Sequence, residues 1–173
     1  MAKSYDKLVP YDKDGELQVV VETPRGSAIK FDYDPKHAIF KVSRPLPLGV
    51  TFPFDFGFVP GTLAPDGDPV DALVLNELPT FPGILICCRL LGMVEMTERT
   101  GKRKKKRETN NRLLVRPDWS GGQLEEAGEL TKAVRHEIEH FFVSTGFATG
   151  KEVKITGWCG PKKAAAYVDA HTV

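Results

Sequence analysis

The sequence predicts a β-rich α+β fold with two helices near its carboxyl end. Short apolar or alternating segments, bounded by Gly, Pro or Asp, recur through the first two thirds of the chain, and this spacing is typical of β-strands. In the last third, apolar residues return every three to four positions, which indicates an amphipathic helix. A second, shorter helix is predicted after a proline that suits a first helical turn.

The composition is that of one globular domain, and we predict a single domain over residues 1–173. Of the 173 residues, 41% are hydrophobic and 27% are charged, which is enough for one core. The formal net charge of +1 gives no reason to expect nucleic acid or a membrane as partner. The sequence shows no apolar signal segment, and no run approaches the ~20 residues of a membrane span. With three cysteines that lack disulfide or metal spacing, these features predict a cytoplasmic protein.

Three strands are predicted in the first part of the chain, after a polar N-terminal arm over residues 1–16. They are expected over residues 17–22, 28–33 and 38–43. Alternation in the second strand places Lys30 and Asp32 on one face of it. That polar face could line a cleft, or it could consist of two ordinary surface residues.

An acidic turn, Asp66-Gly67-Asp68-Pro69-Val70-Asp71, is the stretch most suggestive of chemistry. Gly67 permits a tight turn, Pro69 stiffens it, and the apolar run 72–75 after Asp71 predicts a buried strand. Carboxylates held this close raise one another's pKa, and a divalent cation relieves that repulsion. Because hard oxygen ligands suit Mg²⁺, we expect a magnesium site here. The alternative is a solvated Asp-Gly turn, but the third Asp and the proline favour the metal site.

A long strand with a possible bulge at Gly92 is predicted over residues 84–96, and residues 113–115 are expected to pair back against it. The six consecutive cations Lys102–Arg107 fall between them, inside a basic hairpin insertion over residues 99–111. Such a run is either a solvated loop or a mobile one that attracts polyanions such as nucleic acid without base specificity.

The carboxyl-terminal third predicts a helix from about Glu125 to Thr145, with Gly146 as its cap, then a strand over 152–158 and a helix from Pro161. His136 and His140 on the first helix fit the spacing of a zinc-binding motif. No third ligand follows, so we interpret them as surface or oligomer-contact residues.

The acidic turn resembles the Asp-x-Asp-Pro-x-Asp signature of soluble family I inorganic pyrophosphatases, and the similarity runs from about Val19 to Trp158. It implies that family's fold, a small closed OB-like β-barrel with two flanking helices. It also implies several Mg²⁺ ions per site, with Asp68 as the catalytic residue that deprotonates the attacking water. The implied metal ligands are Asp66, Asp68, Asp71, Glu98 and Asn110. The implied substrate-binding residues are Glu22, Lys30, Asp32, Arg44, Phe56 and Arg112.

Several positions depart from the family pattern. Phe56 stands where the family has a Tyr, and Asn110 where it has a metal-binding Asp, for which Glu108 is an alternative carboxylate. Thr145 and Gly146 occupy the positions of a Tyr-Lys phosphate clamp, and a nearby lysine, residue 151, is not equivalent by count. Two such losses imply a rate deficit of roughly 10²–10⁴-fold.

The resemblance therefore implies Mg²⁺-dependent hydrolysis of pyrophosphate by a homo-oligomer, a hexamer in that family, with reduced or altered activity. The alternative is a catalytically impaired protein of the same fold that serves as a phosphate- or polyanion-binding or regulatory module.

Overall fold

Nine strands and two α-helices make up the computed structural model, which describes residues 5–100, 107–121 and 124–173. The strands are β1 (Leu17–Thr23), β2 (Ile29–Asp34), β3 (Ile39–Pro45), β4 (Asp55–Val59), β5 (Val70–Val74), β6 (Leu85–Thr100), β7 (Glu108–Thr109), β8 (Arg112–Pro117) and β9 (Lys151–Cys159). The helices are α1 (Lys132–Ala148) and α2 (Pro161–Ala170).

Five strands close into a barrel. Strands β1, β4, β5, β8 and β6 are hydrogen-bonded in that order, and β6 pairs back with β1. The β5–β8 contact is parallel and the other four are antiparallel. This ring with two helices confirms the predicted α+β, OB-like fold. The hairpin of β2 and β3 forms a separate two-stranded sheet beside it.

Two hydrophobic clusters hold the helices to the barrel. One joins strand residues such as Val19 and Val74 to Ala164 and Val168 of α2. The other packs Ile138, Phe141 and Phe142 of α1 against strand residues that include Leu73, Leu91 and Leu114. The second cluster fixes the face of α1 that lies over the barrel.

Strand β6 has an irregularity at Gly92. The register with β8 shifts between Leu90 and Gly92, as the predicted bulge requires. Gly92 has φ 152°, and a Cβ there would collide with the carbonyl oxygen of Cys159, so only glycine allows β9 to approach this closely. Beyond Gly92, β6 continues to Thr100 and pairs with β9 and β7, whereas the sequence predicted an end at Met96.

The basic run lies almost entirely outside the described residues. Lys102–Lys106 fall in the gap at 101–106, and only Arg107 of the six is described. The Arg107 guanidinium donates a hydrogen bond to the Glu152 carboxylate. Strand β6 reaches Thr100, and β7 begins at Glu108 and pairs with β6. The hairpin around the basic run therefore contains more paired residues than the sequence predicted.

Both ends predicted for α1 were wrong. The helix begins at Lys132, where the Thr131 hydroxyl accepts a hydrogen bond from the Val134 N–H at 3.3 Å and caps the first turn. It runs through Gly146 to Ala148, and the chain leaves it through Gly150 at φ 70°. Gly146 is a packing residue, since a Cβ there would collide with the Val153 side chain.

The remaining expectations concern the N-terminal arm, the cysteines and membranes. Tyr5 anchors the described part of the arm, because its hydroxyl donates to the Gly83 carbonyl at 2.8 Å. All three cysteines are free; Cys88 is buried, and Cys87 and Cys159 are partly buried. Within the described segments, neither helix combines the length and apolar character of a membrane span.

Candidate active site

A cavity of about 250 Å³ opens between the β2–β3 hairpin, the barrel wall, the second half of α1 and the start of β9. Six of the predicted site residues line it: Lys30, Arg44, Phe56, Asp71, Glu98 and Arg112. The other lining residues are Ser43, Leu46, Phe52, Phe141, Phe142, Thr145, Gly146, Thr149 and Lys151.

The β2–β3 hairpin places two cations in this cavity. Lys30 and Arg44 are register partners across the hairpin, so their side chains emerge side by side. The Lys30 ammonium lies 2.7 Å from the Asp32 carboxylate, which confirms that these two residues share a face. Lys30 lines the cavity while Asp32 stands behind it, so the polar face of β2 borders a cleft.

Arg112 is the central residue of the barrel wall. The parallel register of β5 and β8 sets Ala72 opposite Leu113, which brings the preceding residues Asp71 and Arg112 together. One guanidinium nitrogen of Arg112 lies 3.0 Å from the Asp71 carboxylate, and the other lies 3.9 Å from that of Glu98. Arg112 therefore bridges two carboxylates that belong to different strands.

Arg112 is held tightly in this position. It is only 8% exposed, and its guanidinium donates to the backbone carbonyl and the side-chain oxygen of Asn110. Its guanidinium carbon lies 5.9 Å from the Phe56 ring centroid and 5.7 Å from that of Phe142. Stacking between two rings limits the conformations available to the guanidinium. Asn110 thus faces Arg112 and does not line the cavity.

Glu98 lies on β6, where its register partners are Glu108 of β7 and Val153 of β9. The Lys151 ammonium is 2.6 Å from the Glu98 carboxylate. Burial acts to raise the pKa of Glu98, but the cations of Lys151 and Arg112 outweigh it and lower the pKa. Lys151 therefore reaches the cavity, although by count along the sequence it is not equivalent to the lysine of the family's phosphate clamp.

The acidic turn does not bring its three carboxylates into one volume. Asp66 and Asp68 are exposed, and the Asp68 N–H donates to the Asp66 carboxylate at 3.2 Å, which turns Asp66 back onto its own loop. Only Asp71 lines the cavity. Burial raises the pKa of Asp71, and the charges of Asp66 and Asp68 add to the rise against the opposing effect of Arg112 and Lys30. Within the described part of the chain, no three His, Cys, Asp or Glu side chains are grouped to hold a metal ion.

Glu22 lies behind the cavity and is nearly covered. Its carboxylate accepts a hydrogen bond from the Tyr33 N–H at 2.8 Å. Burial is the main cause that raises the pKa of Glu22 to about 8, and the Asp71 carboxylate adds to it. The folded protein therefore binds a proton here between pH 4.5 and 8 that the unfolded chain releases.

Glu22→Gln is expected to remove a pH-dependent loss of stability. A raised folded-state pKa means that the stability from this proton is fully present below pH 4.5 and is lost as the pH rises through 8. In the metal-free protein, the variant should match the wild type at pH 4.5 and exceed it by a few kcal/mol at pH 8.5, at about 1.4 kcal/mol per pKa unit. Urea unfolding at both pH values tests this. An equal difference at both would contradict it.

The uncharged wall of the cavity was not predicted from the sequence. Phe52, Phe141 and Phe142 carry no sequence signal that separates a cavity wall from the core, and they are only 3–7% exposed. Ser43 and Thr149 carried no motif. The histidines at 136 and 140 lie outside this cavity, with ring centroids 4.3 Å apart.

The chain matches known proteins over most of its length. The family model described as inorganic pyrophosphatase matches residues 19–172. The chain is 37% identical to an inorganic pyrophosphatase of Thermus thermophilus over 89% of this chain and 87% of that protein. It is also 37% identical to one of Streptomyces coelicolor, over 89% and 92% respectively.

A solved structure agrees with the sequence comparisons. The crystal structure of the inorganic pyrophosphatase from Thermus thermophilus superposes with a TM-score of 0.87 at 33% identity, covering 98% of this chain and 97% of that one. A barrel of the same architecture and a family match over 19–172 lead to one conclusion: this chain belongs to the inorganic pyrophosphatase family.

Proposed function

We propose that this protein hydrolyses inorganic pyrophosphate to two phosphates with Mg²⁺ as its metal. The observation that carries the proposal is the charge of the cavity wall. Four cations line it (Lys30, Arg44, Arg112 and Lys151) against two carboxylates (Asp71 and Glu98). A small cavity with two more cations than anions suits a compact polyanion, and forked guanidinium groups match phosphate oxygens.

The residues around the cavity fit a magnesium site. Asp71 and Glu98 line the cavity on either side of Arg112, and Asp66 and Asp68 come from the same turn as Asp71. Asn110 would have to release its amide oxygen from the Arg112 guanidinium to join them. Burial raises the pKa of Asp71 although Arg112 and Lys30 oppose the rise, and a divalent cation would further stabilise the ionised carboxylate. Enzymes of this family are metal-dependent, and oxygen donors of this kind favour Mg²⁺. Bound Mg²⁺ lowers the pKa of a coordinated water and neutralises phosphate charge.

The chain's own residues then have distinct tasks. Lys30, Arg44 and Arg112 bind and orient the phosphates, and Phe56 holds the Arg112 guanidinium from one side. We assign to Asp68, by its resemblance to the family signature, the orientation of the attacking water and the acceptance of its proton, although its exposed side chain does not line the cavity. Glu22 and Asp32 stand behind the cations, where Asp32 fixes the Lys30 ammonium. Bound pyrophosphate would displace part of the carboxylate contacts that Arg112 and Lys151 make.

The test is phosphate release from pyrophosphate, followed colorimetrically. Hydrolysis should require Mg²⁺, disappear when EDTA is added, and return when Mg²⁺ is restored. We expect a turnover below that of typical relatives, because Thr145 and Gly146 offer no charged group to the substrate. No phosphate release at saturating Mg²⁺ would favour the binding or regulatory module instead. A cytoplasmic, homo-oligomeric single-domain enzyme is the form that we propose for it.

A further inference from the structure

The cavity has two chemically different walls. The hairpin, barrel and β9 supply all of its charged lining, whereas α1 and the adjoining segment of residues 46–52 supply only uncharged side chains. Pyrophosphate carries anionic oxygens at both ends, and placing such oxygens against an uncharged wall costs solvation without compensation. A wholly ionic substrate therefore uses only one of the two walls.

The α1 wall has hydroxyl groups, but they are already engaged. The Thr145 hydroxyl donates to the Phe141 carbonyl at 2.9 Å, and that of Thr149 donates to the Gly146 carbonyl at 2.9 Å. A hydroxyl has one proton to donate, so neither threonine has a hydrogen bond left for a phosphate oxygen. Gly146 between them has no side chain at all. This wall thus offers the cavity no charged group and no uncommitted hydroxyl proton from Thr145 or Thr149.

Phenyl rings and Leu46 continue the uncharged wall. Phe141 packs against Phe52 with ring centroids 4.8 Å apart, and both line the cavity beside Leu46. Phe56 and Phe142 are accounted for by their stacking on Arg112. Phe52, Phe141 and Leu46 have no cation stacked on them among the described contacts. Only a small part of Phe52 and Phe141 is accessible (3% and 7% exposed), and that part, with Leu46, can contact an apolar group of a ligand in the cavity.

We propose that the cavity accepts organic diphosphate monoesters, with the diphosphate on the cationic wall and an uncharged, apolar group against the α1 wall. This inference rests on the proposed pyrophosphatase chemistry. The water oxygen bonds to the terminal phosphorus, and the bond from that phosphorus to the bridging oxygen breaks. The electron pair leaves with the organic monophosphate, and the water proton passes to Asp68. The products are one phosphate and one organic monophosphate, so no additional reactant is required.

The test compares phenyl diphosphate with inorganic triphosphate at saturating Mg²⁺. In the first the group beyond the diphosphate is an apolar ring, and in the second it is another phosphate. We expect kcat/KM for phenyl diphosphate to exceed that for triphosphate by about tenfold or more, the scale of discrimination by an apolar pocket. Methyl diphosphate, with a smaller apolar group, should fall between them. A preference for triphosphate would overturn the inference.

A matched pair of lysine variants tests whether the α1 wall causes the preference for phenyl diphosphate over triphosphate. Thr149→Lys places a cation on the uncharged wall at an exposed position near the end of α1, where a positive charge is favourable for the helix. It should lower the ratio of phenyl diphosphate to triphosphate kcat/KM about tenfold. Ala148→Lys adds the same charge one residue away, at an exposed position outside the cavity, and should leave the ratio unchanged. Equal shifts in both variants would contradict the assignment of the α1 wall.

Failure of this inference is distinguishable from failure of the proposed function. If pyrophosphate is hydrolysed but phenyl diphosphate is neither hydrolysed nor an inhibitor, the pyrophosphatase chemistry stands and the inference is wrong. If none of these compounds is hydrolysed, the proposed function is wrong, and calorimetric titration of the Mg²⁺-loaded protein decides the inference. Tighter binding of phenyl diphosphate than of triphosphate then supports it, and the reverse order overturns it.

Discussion

Asp68→Asn is expected to lower kcat for pyrophosphate by roughly 10²–10⁴-fold, the usual contribution of a general base. The amide keeps an oxygen for metal or water but cannot take a proton. Gly67 at φ 92° sets the turn that carries Asp68, and the exposed side chain should tolerate the change without loss of folding. Phosphate release at saturating Mg²⁺ gives kcat, and a Mg²⁺ titration should show little change in affinity.

Two further substitutions serve as a comparison and a control for Asp68→Asn. Asp71→Asn removes a charge from the cavity wall and should weaken Mg²⁺ binding more than Asp68→Asn does. Asp118→Asn, at an exposed position outside the cavity, should change neither quantity. Full activity in Asp68→Asn would mean that another group accepts the proton.

Arg112→Met is expected to cost about 3–5 kcal/mol of unfolding free energy at pH 8 in the metal-free protein, the usual loss when one partner of a buried ion pair is removed. The Arg112 side chain is 9% exposed, and its partners Asp71 and Glu98 are 22% and 13% exposed. The two carboxylates would keep their burial and lose a cation. Urea unfolding measures the loss, and phosphate binding should weaken in parallel because a phosphate ligand is gone.

The sign of the pH dependence distinguishes this effect from simple loss of packing. Without Arg112, the pKa values of Asp71 and Glu98 both rise, since its charge lowers them in the wild type. The stability deficit of Arg112→Met should therefore shrink as the pH falls and the two carboxyl groups become protonated. Arg89→Met, which removes an exposed ion pair with Glu125, should cost less than about 1 kcal/mol. A deficit that does not change with pH would indicate that only packing was lost.

Strand positions followed closely from the sequence because each strand has its own apolar or alternating pattern. The first three strands and β9 lie within two residues of their predicted bounds. Strand β4 was not among the predicted strands, since all five of its residues are buried and show no alternation. The start of α1 was placed seven residues early, at 125 instead of 132, because the apolar spacing continues through a short 3-10 turn. Periodicity does not distinguish the two kinds of helix.

The candidate site was predicted only in part. One cavity is lined by five of the motif residues, Lys30, Arg44, Asp71, Glu98 and Arg112. Their common site could be predicted because they match the family's motifs in order along the chain. Lys151 was judged not equivalent by count, because counting along a helix cannot show that β9 begins directly after it and pairs with β6. Asp66 and Asp68 were expected in the metal site together with Asp71. In the structure, Asp66 accepts a hydrogen bond from the backbone N–H of Asp68, and only Asp71 contacts Arg112 in the cavity wall.

The sequence by itself determined the elements, the acidic turn and the identity of the cations, because these depend on residue type and local spacing. Tertiary structure alone decided which charges meet. The parallel register of β5 and β8 sets Asp71 beside Arg112, and the irregularity at Gly92 lets β9 bring Lys151 to Glu98. It also turned the threonine hydroxyls of α1 back onto the helix and left one wall uncharged. Ion pairs and hydrogen bonds require atoms within about 4 Å of each other, and only the packing of strands distant in sequence sets such distances.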